Sequence, residues 1–149
     1  AWVREMGAHH VIDHRRPLTE GLQQIGIPQV GYIASLSGTD KHLPAIVESL
    51  APQGKVAVID DPATLDIVPF KRKSASVHWE FMYTRSLFGT SDMIEQHRLL
   101  DEVAALIDTG VLRTTLREEL GKINASNLKR VHAVLESGTA IGKLVLTGF

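Results

Sequence analysis

The chain has 149 residues, 44% hydrophobic and 22% charged, with 16 Lys and Arg against 17 Asp and Glu. That length and composition predict one globular domain, and the even charge balance excludes the basic footprint of a dedicated nucleic-acid binder. With no cysteine, no run near the roughly 18 apolar residues of a membrane span and no signal peptide, the pattern excludes disulfides, thiolate zinc sites and a spanning helix, and predicts a cytoplasmic protein.

Ala1 to Met6 reads as the apolar tail of a helix, with Trp2, Val3 and Met6 at helical spacing and Gly7 where a left-handed terminus belongs. The chain is therefore expected to start in the middle of a larger arrangement. Val11 and Ile12 predict a very short buried strand closed by Asp13, and Thr19 to Ile25 a helix with Leu18, Leu22 and Ile25 on one face. Val30 to Ser35 (VGYIAS) predicts a strand. Asp40 is the expected cap of the next helix, where Leu43, Ile46, Val47 and Leu50 recur at i, i+3, i+4 and i+7. After the turn Ala51-Pro52-Gln53-Gly54, Lys55 to Ile59 (KVAVI) is a nearly continuous apolar run, as suits a parallel strand covered on both faces. Strand and helix alternate with connections of helical length, the pattern of an α/β open sheet.

The second half is less regular. Asp60-Asp61-Pro62 and Pro69 break the rhythm, and Ser74 to Met82 (SASVHWEFM) is β-prone with Val77, Trp79 and Phe81 on one face. Ser91 is the expected cap of a long helix carrying Met93, Ile94, Leu100, Val103, Ala104 and Ile107 and ended by Gly110. Val111 to Leu116 predicts a strand. Asn124 or Ser126 should cap a last helix with Leu128, Val131 and Leu135 inward and Gly138 at its end, before a final strand Lys143 to Leu146. No repeat, low-complexity tract or linker divides the chain, so residues 1–149 are expected to form a single domain.

Few constellations carry chemistry. His10 and His14 are spaced i, i+4, but a strand between them separates the pair by roughly 13 Å at about 3.3 Å per residue, so His9, His10 and His14 read as loop-edge residues and not as metal ligands. Gly138-Thr139-Ala140-Ile141-Gly142-Lys143 falls short of a phosphate-binding loop: three residues separate the glycines where four are needed, and Leu144 follows the lysine. It reads as a tight turn. No GxGxxG occurs, and Asp13 without a glycine loop upstream reads as a strand-end residue. His78 and Glu80 share the strand face opposite the aromatics, which suits a solvated or subunit-facing side better than an acid/base pair. His97 with Asp101, and His132 with Glu136, are surface i, i+4 pairs worth tenths of a kcal/mol. The residues by themselves give a fold class and no reaction.

Three passages, WVREMGAHHVIDH, LAPQGKVAVI and ESGTAIGKLVL, stand in an order and spacing that resembles the C-terminal half of a medium-chain dehydrogenase/reductase. This is the superfamily of zinc-type alcohol dehydrogenases and quinone oxidoreductases. The likeness spans essentially the whole chain, and LDIVPFKRKSASVHWEFMYTRS points to the zinc-type alcohol-dehydrogenase-like, quinone-oxidoreductase-related branch. It implies the C-terminal portion of a Rossmann-like, mostly parallel open sheet with helices on both faces. The first strands, the glycine-rich loop and the catalytic domain with any zinc ligands would all lie before Ala1.

By the same resemblance the parent is an oxidoreductase using NADP(H) or NAD(H) on a quinone or enone, with an alcohol and a zinc alcohol dehydrogenase as the alternative. This chain would supply one wall of the cofactor pocket: Ser35, Leu36 and Ser37 after one strand, Ile59, Asp60 and Asp61 after the next, and Trp79, Glu80 and Phe81. Backbone groups there would orient the carboxamide while Leu36 and Ile59 pack a ring face, with plain strand-end packing as the alternative for those two. Lys143 resembles a position near the site without an assigned role. No catalytic residue and no metal ligand is expected in the chain. A homodimer through the Ser74–Met82 strand is expected, and the isolated chain could be chiefly such a dimerisation module without activity.

Overall fold

A computed structural model describes residues 1–148. In chain order it has helices α1 (Trp2–Glu5) and α2 (Leu18–Gln24), strand β1 (Val30–Ser35), helix α3 (Thr39–Ser49) and strand β2 (Leu50–Val58). A 3-10 helix (Val68–Lys73) leads to strand β3 (Ser76–Trp79), then helices α4 (Thr84–Phe88) and α5 (Ile94–Asp108). Strand β4 (Leu116–Glu119), helix α6 (Ala125–Glu136) and strand β5 (Lys143–Val145) complete the described elements. Every strand pair is parallel, in two open sheets ordered β1-β2-β3 and β4-β5. The chain divides into two compact units, His10–Met93 and a second made of Ala1–His9 with the residues from Ile94 onward.

In the His10–Met93 unit, β2 is the central strand and the most buried. Ile33, Val56 and Val77 form one cross-strand row and Ser35, Val58 and Trp79 the next on the same face. Against that face pack Ile46, Leu50 and Phe70, with Leu43 and Val47 of α3 at the margin. Leu50, Val56 and Val58 are essentially sealed from solvent, each burial stabilising the unit by roughly 1.5–3 kcal/mol. The apolar spacing along α3 thus finds the core that it predicts.

Leu50 does not continue the helix, however. It opens β2 opposite Val30, and the four residues Ala51 to Gly54 bulge out before Lys55 rejoins the ladder opposite Tyr32. Gln53 takes a left-handed conformation there (φ 62°). A side chain at Gly54 would stand 2.7 Å from the Leu50 side chain and 2.9 Å from the Ala51 carbonyl oxygen, which is why the buried inner corner of the bulge is a glycine. Lys73 closes the same corner: its ammonium donates to the carbonyl oxygens of Val47, Glu48 and Leu50 at 2.7, 2.8 and 2.5 Å. These are the open carbonyls at the end of α3, where positive charge is favoured.

Several expectations need correction. Val11 and Ile12 form no strand, because no neighbouring chain among the described residues offers them a ladder; Ile12 packs against Gly21 instead. With that strand goes the premise that spaced His10 from His14. Asp40 does not cap α3: it lies inside the first turn and accepts from the Lys41 N–H, while left-handed Gly38 is the cap residue. Asn124 does cap α6, its Oδ1 accepting from the Asn127 N–H at 2.8 Å.

In the second unit, α5 starts at Ile94, three residues beyond Ser91. It ends at Gly110 (φ 74°), whose N–H donates to Ile107 O while the Val111 N–H donates to Leu106 O, a Schellman arrangement. Val111 and Leu112 both return their N–H groups to Leu106, so the strand expected over Val111 to Leu116 cannot start there and β4 begins at Leu116. Of the three α6 residues expected inward, Val131 is buried whereas Leu128 and Leu135 are exposed, since little in the unit covers that flank.

Candidate functional site

Strands β1, β2 and β3 run the same way and stop together. Beyond the row of Ser35, Val58 and Trp79, the Ile59 N–H donates to Ser35 O at 3.1 Å and the Glu80 N–H to Val58 O at 2.9 Å, carrying the ladder one residue further. The chain then leaves the sheet at Leu36, Asp60 and Phe81. In open α/β sheets ligands gather outside such carboxyl ends, because there the last backbone groups face away from the ladder. Leu36 (65% exposed), Ile59 (48%), Trp79 (61%) and Phe81 (55%) hold apolar surface open at this edge. Apolar side chains at such an edge are the kind of surface that a ligand ring or a covering segment can pack against.

Beneath them is a polar network. Thr39, the first residue of α3, is 1% exposed; its N–H donates to Asp60 Oδ2 at 2.9 Å and its hydroxyl donates to Asp60 Oδ1. Ser35, 7% exposed, stands with its Oγ 2.7 Å from the Thr39 Oγ1. A carboxylate only accepts and a threonine hydroxyl has one proton. The Thr39 proton therefore goes to Asp60, and Ser35 donates to Thr39. The bonds from Thr39 hold the Asp60 carboxyl below its ordinary value, and its negative charge sits at the positive end of α3. Sequence reasoning placed Asp60 at this edge without its task and missed Thr39; the cue was Ser35 and Thr39 bounding the turn from β1 into α3, with Asp60 just past the end of β2.

The remaining surfaces sort the predicted residues further. Ser35, Leu36 and Ser37 line a groove of about 400 Å³ together with His14, Leu18 and His42. Trp79 instead lines a second groove of about 370 Å³ with Leu65, Phe70, Lys71 and Val77. Ile59, Asp60 and Phe81 line neither; Phe81 meets Tyr83 edge to face, centroids 5.6 Å apart. His78 and Glu80 share a shallow groove of about 340 Å³ with Tyr32 and Lys55, and the His78 Nε2 stands 3.1 Å from the Ser76 Oγ. Among the described residues there is no group of three or more His, Asp or Glu placed to hold a metal ion. No described helix is long and apolar enough to cross a membrane.

Comparison with known proteins places this geometry. A family described as zinc-binding dehydrogenase matches residues 6–146, and the chain belongs to that family. It is 31% identical over 146 residues to the zinc-type alcohol dehydrogenase-like protein of Staphylococcus aureus strain MSSA476, covering 97% of this chain and 44% of that protein. A solved structure from Rhizobium etli CFN 42, described as a zinc-dependent alcohol dehydrogenase, superposes with a TM-score of 0.90 at 52% identity, covering 99% of this chain and 43% of the other. A quinone oxidoreductase from Pseudomonas syringae pv. Tomato DC3000 shares the fold with a TM-score of 0.74 at 15% identity, over 97% of this chain and 44% of its own. The chain thus spans less than half the length of the relatives it matches.

Proposed function

We propose that this chain is the C-terminal part of the nucleotide-binding domain of a cytoplasmic NAD(P)H-dependent oxidoreductase, acting on a quinone or enone. Its part in hydride transfer is positional: the cofactor carries the chemistry, and the chain supplies one wall of its pocket. The supporting observation is the shared carboxyl edge of β1, β2 and β3, where Leu36, Ile59, Trp79 and Phe81 are exposed and the Ser35-Thr39-Asp60 network ties β1, α3 and the end of β2 together. Ser35, Leu36, Ser37 and Ile59 flank the ribose and nicotinamide, Asp60 stands behind Ser35 through its bonds to Thr39, and Trp79 and Phe81 approach the far end. Asp60 occupies the N-terminus of α3, and the reading assigns the pyrophosphate to a glycine-rich loop in the parent protein.

Calorimetric titration of this chain and of the parent protein with NADPH and NADH tests the reading. Binding by the parent alone is the expected result; no binding by the parent sinks it. A zinc-type alcohol dehydrogenase, with its metal held outside this chain, is the second reading, favoured by the Staphylococcus and Rhizobium relatives. Loss of activity on chelation in the parent would select it. Self-association is proposed through the Ser74–Met82 segment, of which only Ser76–Trp79 forms the strand: β3 has one unpaired edge among the described residues, beside exposed Trp79, Phe81 and Met82. Sedimentation of the chain as a monomer at micromolar concentration would remove that element.

A further inference from the structure

The Ser35-Thr39-Asp60 network has a direction, and it decides what Ser35 offers to the groove that it lines. Because Asp60 accepts the only Thr39 hydroxyl proton, the Ser35 proton is committed to Thr39. With its proton committed, the Ser35 Oγ keeps lone pairs alone, and Ser35 is one of the residues lining the groove of His14, Leu18, Leu36 and His42. We propose that Asp60 acts as a positioning residue that fixes the Ser35 Oγ as a hydrogen-bond acceptor, so that the ligand group seated beside β1 is a donor, a sugar hydroxyl or an amide N–H. The inference rests on the cofactor-wall reading above and adds to it the polarity of one contact and the residue, not itself in contact with ligand, that sets it.

Asp60→Asn is the informative change, since it keeps the shape and alters the order of donors. Its amide has one acceptor oxygen and one donor nitrogen. With the oxygen kept by the Thr39 N–H, the amide nitrogen faces the Thr39 hydroxyl, whose proton turns to Ser35, and the Ser35 proton turns out into the groove. An acceptor becomes a donor facing a donor. In the parent protein, titration with NADPH and NADH should give about tenfold weaker binding for Asp60→Asn and also for Ser35→Ala, the size of one lost hydrogen bond. The double variant should bind no more weakly than Ser35→Ala, because Asp60 acts only through Ser35. Thr39→Ser, which keeps the hydroxyl, should bind as the unmodified protein does. If Asp60→Asn fails to fold, as judged by far-UV circular dichroism, Ser35→Ala and Thr39→Val must each still show the loss.

Wild-type affinity in Asp60→Asn or in Ser35→Ala overturns the inference while leaving the cofactor reading intact. So does a further loss on adding Asp60→Asn to Ser35→Ala, which would make Asp60 a structural brace. Failure of the unmodified parent to bind either nucleotide overturns the cofactor reading, and this inference with it.

Discussion

The two units of this chain carry helices of similar apolar periodicity and treat them differently. In the His10–Met93 unit the stripe on α3 meets β2 and Phe70, and five residues form a sealed cluster. In the other, α5 has the stripe and no buried residue, with Leu99 and Leu100 exposed, and Val131 of α6 is the one buried hydrophobic among the described residues. A 3.6-residue period says that a helix has a face to cover; it does not say that the same chain supplies the cover. The first unit carries its own core, whereas the second presents apolar surface of the kind that a further part of a protein covers.

Core truncation should separate the units most widely. Leu50→Ala is expected to cost about 2–5 kcal/mol in thermal or urea unfolding of the chain, while Leu135→Ala on exposed α6 should stay within about 0.5 kcal/mol. Equal losses at the two positions would erase the contrast. Next in size, Lys73→Met keeps the stem but strands three carbonyls at the end of α3, and should cost about 1–3 kcal/mol. Asn124→Ala removes the α6 cap for about 1 kcal/mol. Amide exchange should show that loss confined to α6 and the Lys73 loss confined to α3 and β2.

The smallest effect is set by pH. The bonds from Thr39 lower the Asp60 carboxyl in the folded chain. Its contribution to stability is therefore fully present above its ordinary value of 3.8 and is lost as pH falls through the lower folded value. Asp60→Asn should flatten the acid limb of a plot of midpoint temperature against pH. An unchanged limb would assign the acid sensitivity to other carboxylates, such as Asp92 beside Thr90 and Arg85.

What was legible in the sequence follows from the range of each cue. Val30–Ser35, the end of α5 at Gly110 and the Asn124 cap all rest on neighbours a few residues away, and they are where local reasoning puts them. Asp40 looks like the local cap of α3, yet the partner of that terminus is Asp60, 21 residues on. Val11–Ile12 has strand composition and lacks a ladder, which no residue in the segment can disclose. The common carboxyl edge of β1, β2 and β3 was legible because parallel order fixes which strand ends meet. The hydroxyl order linking Ser35, Thr39 and Asp60 was not, since it depends on the β1–α3 turn and the segment after β2 arriving at one point.

The direct passage from α3 into β2 also bears on how the chain folds. Ser49 ends the helix and Leu50 opens the strand with no residue between. The contacts of Ile46, Leu50 and Val56 close over short stretches of chain, where the entropy of loop closure is small. A nucleus made of α3 and β2 can therefore form before β1 and β3 are recruited on either side. Refolding rates should then be sensitive to substitutions at Leu50 and Val56, whereas changes in edge strand β3 should mainly speed unfolding.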